Sequence, residues 1–323
     1  MRKGLIVGIY VSFFIMTLGG CQKSSKELLT FAEMASVTGY SLDYQLTQAD
    51  FFSENLVIIP EEYNTGGDSQ LSSGSNLLIN VTDQEIVYAD NIYDRLYPAS
   101  LTKLMTALVV LQYGELNDSV TISYKASHIT EPGAKLCGFR EGDVISMDAL
   151  LKSLLIYSGN DAAIAIADHV AGSEEGFVSM MNKEAKRIGA VHTNFMNSSG
   201  LHDDNQYTTS YDMYLIFNEL MKFETFRSII GIDSYTAIYQ DKDDTPIEKT
   251  FVATNLYLKE QAEVPEGFVI LGGKTGTTRK AGNCLILLSK DTSEKEYISV
   301  IMKASDNNTL YSQMSYLLSL SKE

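Results

Sequence analysis

The stretch "YPASLTKLMTALVVLQ", residues 97–112, sets a serine one turn ahead of a lysine at the start of an otherwise apolar helix. Leu101, Leu104, Met105, Leu108, Val109 and Leu111 recur at helical spacing, and Ala107 and Val110 fill the other face. A helix that is apolar on all sides belongs at the centre of a domain. The spacing therefore predicts a buried helix from Ser100 to about Gln112, entered through Pro98 and Ala99. A charge inside it costs stability unless something uses it. Ser100 and Lys103, three residues apart, share a helix face. A neutral amine there can take the serine proton and leave a nucleophile. Free lysine titrates near 10.4, and burial or a second cation lowers that value. Ser-x-x-Lys reads equally as a helix-starting serine beside a lysine that reaches the surface, so context must decide.

Two further stretches supply context. "YSGNDAA", residues 157–163, interrupts two apolar helices with turn-forming residues. In a chemical reading Ser158 relays a proton between Lys103 and a leaving group, and Asn160 offers its amide to a substrate carbonyl. "GGKTGTT", residues 272–278, follows the strand-like "FVIL". It reads as a hairpin turn, or as a place where Lys274 holds a substrate carboxylate and helps depress the pKa of Lys103. Thr275 and Thr277 add hydroxyls there, and the glycines admit a substrate backbone.

Around these motifs "NLLINV" (76–81) and "EIVYAD" (85–90) read as strands, after a Gly/Ser-rich loop over 61–75. Ser146 caps a helix over 147–157, and helices follow over 161–170 and 173–189. A helix over 210–223 is capped by Ser210. "GFVILGG" (267–273), "GNCLILLSK" (282–290) and "EYISVIMKA" (296–304) read as strands, broken by "KTGTTRKA" and "DTSEK"; a last helix runs from about Thr309 to Ser319. "DKDDTPIEK", 241–249, reads as a solvated turn. Strands at both ends and helices between them predict an α/β (α+β) fold, with one antiparallel sheet joining the chain ends and helices on its faces.

The chain has 323 residues, 45% hydrophobic and 20% charged, which is enough apolar content for a large core. A net charge of −16 argues against a nucleic-acid partner. The beginning "MRKGLIVGIYVSFFIMTLGGC" has the layout of an export signal: two cations, an apolar run, then small residues and Cys21. "LGGC" resembles the bacterial lipobox, which predicts a signal peptide over 1–20, a lipidated Cys21 and a polar tether over 21–50. Cys137 and Cys284 either pair or stay as two buried thiols. His128, His169, His192 and His202 lack metal-ligand spacing, so neither metal nor cofactor is expected; His202 is the one that follows the loop "NSSGL".

Ser-x-x-Lys, Ser-x-Asn and Lys-Thr-Gly in this order form the set of penicillin-binding proteins and serine β-lactamases. "YPASLTKLMTA", "SGNDAA", "HVAGSEEGFVSMMNKEAKRIG", "TNFMNSSGLHD" and "GGKTGTTRKAGNC" extend the likeness over about residues 76–305. The sequence resembles the D-alanyl-D-alanine carboxypeptidases of the type-5, low-molecular-weight penicillin-binding group. That resemblance implies a β-lactamase/DD-peptidase-like fold with a helical lobe. It implies Ser100 as acylated nucleophile, Lys103 as its base and Ser158 as relay. Asn160, Lys274, Thr275, Gly276 and Thr277 would bind substrate, and the backbone amides of Ser100 and Thr277 would form an oxyanion hole. The implied substrate is a peptidoglycan stem peptide ending in D-Ala-D-Ala, with β-lactams as covalent inhibitors and an anchored place outside the bacterial cytoplasmic membrane. Residues 51–323 would form a single catalytic domain without a separate C-terminal β-domain.

Gly272 and Gly273 stand where the family often has an acidic and an apolar residue, and Thr277 where it often has an aromatic or histidine. These departures leave DD-endopeptidase work as an alternative to carboxypeptidase work. A class A β-lactamase needs a deacylating glutamate, and "TNFMNSSGLHDDN", 193–205, has none. A non-catalytic β-lactam- or wall-binding lipoprotein would be expected to have lost a motif residue, and all three motifs are intact.

Overall fold

The computed structural model describes residues 56–60, 63, 65 and 67–322. The expected signal peptide, Cys21 and the tether lie outside the described residues. Strands β1 (Ser75–Asn80) and β2 (Glu85–Asp90) open the described fold. Helix α1 (Thr102–Tyr113) comes next, then β3 (Ser119–Thr121), α2 (Tyr124–Ser127), β4 (Val144–Ser146) and α3 (Met147–Lys152). Helices α4 (Asn160–Ala171), α5 (Glu174–Arg187), α6 (Ser210–Leu220) and α7 (Glu224–Ile230) come after these. The chain ends in β5 (Ser234–Gln240), β6 (Pro246–Val252), β7 (Phe268–Thr278), β8 (Gly282–Asp291), β9 (Glu296–Ala304) and α8 (Asn307–Ser319).

The main sheet has the order β2-β1-β9-β8-β7 and is antiparallel throughout. Its strands join the two ends of the described chain, as the order of elements predicts. Alternate residues face opposite layers because the strand period is two. Leu77, Ile79, Ile286, Leu288, Ile298 and Val300 point into the larger core with α1. Leu78, Leu285, Leu287 and Ile301 meet Leu310, Met314, Leu317 and Leu318 of α8 on the other face. Burial on both faces explains why β1, β8 and β9 read as nearly continuous apolar runs.

Helix α1 runs through the larger core with every residue from Thr102 to Val110 buried. Each buried leucine there contributes about 1.5–3 kcal/mol. Ser100 precedes the helix in a 3-10 turn, Ala99–Leu101, rather than sitting on it. Ser146 caps α3 as expected, accepting from the Ala149 amide. The cap of α6 is Thr209, not Ser210: the Thr209 hydroxyl accepts from the Asp212 amide at 3.0 Å.

Three regions differ from the sequence reading. A second sheet, β3-β4-β5-β6, lies beside the helices. The span 241–249 is a turn only at its start; Pro246 already pairs with Gln240 in the β5–β6 hairpin. Strand β7 runs straight through "KTGTT" and ends at Thr278, so the Lys-Thr-Gly motif is strand and not hairpin turn. Cys137 and Cys284 are both free and buried, which answers the pairing question.

Candidate active site

Three elements meet at Ser100. The first is the 3-10 turn that carries it. Ala99 has φ 46°, an uncommon conformation for a residue with a Cβ, and it aims the turn at the sheet. The second is β7, the edge strand of the main sheet. A Cβ at Gly276 would lie 3.1 Å from the Ser100 nitrogen and 3.0 Å from the Pro98 oxygen, so only glycine lets the strand come this close without displacement. Gly272 and Gly273 serve the same strand further back. Cβ atoms there would sit 2.3 Å from the Ile230 oxygen and 2.1 Å from the Ile286 oxygen. Side chains at these two positions would run into neighbouring backbone as the strand lies here.

The third element is the break between α3 and α4. After Lys152 the helix widens into one π turn, Ser153–Tyr157, and the Ser158 amide bonds back to the Ser153 oxygen at 3.1 Å. Such turns insert one residue and re-aim the chain beyond them. Ser158 then takes a left-handed conformation, φ 73°, and Asn160 starts α4. Ser158 and Asn160 are both buried at this junction.

The side chains converge around two buried lysines, Lys103 at 0% and Lys274 at 1% exposure. Lys103 Nζ lies 3.1 Å from Ser100 Oγ and 2.7 Å from Asn160 Oδ1, and it donates to the Ser199 carbonyl oxygen. Two of these partners are obligate acceptors, and the third is a hydroxyl that can donate or accept. A neutral amine has two protons and one lone pair. It satisfies Asn160 and Ser199 with the protons and keeps the lone pair for the Ser100 hydroxyl. Burial holds the Lys103 ammonium down at a pKa of about 7, against an opposing pull from the Asp161 carboxylate. Lys274 donates to Ser158 Oγ at 2.8 Å and to the Thr275 oxygen at 2.9 Å. Its pKa is also lowered, by burial first and then by the charges of Lys103 and Lys135.

The arrangement brings every motif side chain expected from the sequence to one place and reassigns two contacts. Lys103 is held by Asn160, while the Ser158 hydroxyl sits on Lys274. With its oxygen taken, Asn160 has its Nδ2 left without a protein partner among the described residues. Thr275 Oγ1 donates to Thr254 Oγ1 at 2.6 Å, a neighbour no motif announces. Asp161, buried at 2% exposure, accepts from the amides of Cys137 (2.8 Å), Gly138 (2.7 Å) and Phe139 (3.3 Å). The Asn160 amide donates to the Lys135 oxygen at 2.8 Å, so both residues pin the 135–139 segment to the α4 terminus. The Ser199 carbonyl, Thr254 and the Asp161 tether are the contributions the sequence reading missed. An acid in the first turn of a helix was the only visible signal among them.

The cleft has two arms that share Ser100, Gly133, Lys135 and Thr277. One, of about 350 Å³, leads over Ser158, Thr275 and Thr254 toward Asn307 and Tyr311. The other, of about 560 Å³, passes Asn160 and His202 toward the β7–β8 turn. His202 therefore does border the cleft. Its ring meets Tyr97 edge-on at 4.8 Å.

A buried lysine on a serine, a second lysine on a second serine and an open sheet edge form an arrangement chemically suited to serine acyl transfer. The family described as D-alanyl-D-alanine carboxypeptidase matches residues 62–306, and the chain belongs to it. D-alanyl-D-alanine carboxypeptidase DacF of Bacillus subtilis (strain 168) is 32% identical over 251 residues, 76% of this chain and 60% of the relative. DacC of Escherichia coli K12, with the same description, is 32% identical over 75% of this chain and 59% of its own length. The chain thus spans 60% and 59% of the length of these two curated relatives. Among solved structures, the Streptomyces K15 DD-transpeptidase superposes with a TM-score of 0.72 at 26% identity, covering 80% of this chain and 99% of that one. Penicillin-binding protein 5 of Haemophilus influenzae gives 0.68 at 28% identity, over 78% and 71%.

Proposed function

We propose that the protein is a serine-type D-Ala-D-Ala carboxypeptidase that trims peptidoglycan stem peptides through an acyl-enzyme on Ser100. The observation that carries this reading is the fully buried Lys103 amine, 3.1 Å from Ser100 Oγ, with a pKa of about 7. Family membership supports the same reading.

In this mechanism the peptide adds along the free edge of β7, where main-chain pairing gives register. Its terminal carboxylate is taken by Lys274 and Thr275. Before binding, burial depresses both lysines, and the charge of Lys103 lowers Lys274 further. A carboxylate beside Lys274 favours its charged form, and that charge keeps the proton off Lys103. Substrate binding therefore completes the base. Lys103 takes the Ser100 proton, Oγ attacks the carbonyl of the penultimate D-alanine, and the backbone amides of Ser100 and Thr277 stabilise the oxyanion. Fixed donors of this kind are worth about 3–4 kcal/mol each. Ser158, held between Lys274 and the cleft, passes the proton to the leaving amine. Water then attacks the ester with Lys103 again as base and frees Ser100. Asn160 Nδ2 holds the acyl-side carbonyl. A β-lactam acylates the same serine and leaves slowly.

The chain's first 21 residues support export and a lipid on Cys21, with the catalytic part of 51–323 held by the 21–50 tether at the outer face of the bacterial cytoplasmic membrane. Among the described residues no helix is long and apolar enough to cross a membrane. Incubating the protein without its first 20 residues with a peptide ending in Lys-D-Ala-D-Ala tests the activity. Free D-alanine is the expected product, and the Ser100→Ala variant should release none. Release by that variant would remove Ser100 from the reaction.

A further inference from the structure

The two arms of the cleft differ in charge. The arm beyond Thr275 is bordered by Leu256, Asn307 and Tyr311 and has Lys135 as its one charged lining residue. The other arm is bordered by Lys135, Arg279 and Lys280, with Glu131 as its one carboxylate. Arg279 and Lys280 sit side by side at the β7–β8 turn, both exposed, and neither has an acidic partner among the described residues. This concentration runs against the composition, which sets 41 acidic residues against 25 basic ones.

Geometry fixes what reaches this arm. It rests on the carboxypeptidase reading, in which the terminal carboxylate lies at Lys274 and Thr275 and the reacting carbonyl lies between Ser100 and Thr277. The leaving residue then occupies the first arm, and the acyl part of the peptide continues past Thr277 into the second. A strand rises about 3.3 Å per residue, so one or two peptide residues carry the chain to the level of Arg279 and Lys280. Those are the two residues that precede D-Ala-D-Ala.

We propose that this basic arm is a specificity subsite for a free carboxylate on one of the two residues preceding the terminal D-alanines, so that the enzyme prefers an anionic stem to its amidated form. Arg279 supplies a planar fork suited to a carboxylate, and Lys280 and Lys135 add point charge. The cations lie at the rim in water, so the preference is electrostatic and salt-sensitive.

The test uses the protein without its first 20 residues and pairs of stem pentapeptides that differ only in whether each of these carboxylates is free or a carboxamide. D-alanine release gives kcat/KM for each. At low ionic strength the free acid is favoured about five- to ten-fold, and the advantage shrinks in about 0.5 M salt. The double variant Arg279→Gln, Lys280→Gln brings the ratio to about one, while Arg279→Lys keeps most of it. Equal rates for acid and amide in the wild-type protein overturn the subsite and leave the carboxypeptidase reading standing. So does a preference that survives the double variant. Release from neither peptide removes both the reading and the subsite.

Discussion

At the scale of the residue, the protein places one amine where its charged form is least welcome. Unfolded, Lys103 titrates near 10.4; folded, near 7. Between those values the unfolded chain binds the extra proton, so this residue makes stability rise with pH across that window. Below about 7 the folded state carries a cost of about 5 kcal/mol relative to an unperturbed lysine. Lys103→Met carries no such dependence. Denaturant melts of the two proteins should therefore show the wild type gaining on the variant by a few kcal/mol from pH 7 to pH 10. A constant difference across that range would mean Lys103 is not depressed. The same variant should lose acylation by about a thousand-fold, because among the described residues Lys103 is the base that reaches Ser100 Oγ.

At the scale of the element, legibility in the sequence depends on periodicity. The apolar run of α1, the strands at both ends and the Ser146 cap are all readable from local pattern. The π turn before Ser158 is not, because one inserted residue leaves the apolar spacing of 147–157 looking helical. Strands β3 and β4 span three residues each, too short for alternation to register. Strand β6 is masked by Glu248 and Lys249, charges that its solvent-facing edge tolerates. Lys-Thr-Gly reads as a turn because glycine signals turns; here the glycines serve close approach instead. Gly276→Ala should push β7 from the Ser100 turn and cut penicillin acylation about a hundred-fold with little loss of melting temperature. A variant that melts early and acylates normally would contradict that role. Asp161→Ala leaves three amides of the 137–139 segment unpaired and should cost about 3 kcal/mol or more in denaturant melts. An unchanged midpoint would show the segment held by other means.

At the scale of the whole molecule, the site is assembled from distant pieces. Ser100, Ser158, Ser199 and Lys274 come from four separate parts of the chain, and their order is readable while their distances are not. Which carbonyl closes around Lys103 is a tertiary fact; the family-like stretch around Ser199 does not say that its carbonyl meets Lys103. Acylation and the native fold should therefore be lost together in denaturant, with fluorescent-penicillin labelling and circular dichroism sharing one midpoint. Labelling that outlasts the fold would argue against this assembly. On the proposed anchoring, Cys21→Ala should move the protein from the membrane fraction to the soluble fraction of cells that export it. Continued membrane association would point to another attachment.

In the proposed mechanism Lys103 works as a neutral, buried base on Ser100. The most direct measurement is the second-order rate of acylation by a fluorescent penicillin across pH 5–9, with the labelled peptide identified by mass. Label is expected on Ser100 alone, at a rate that climbs with pH through a midpoint near 7, following the Lys103 pKa. A rate that is flat over this range, or label that persists in Ser100→Ala, would contradict it.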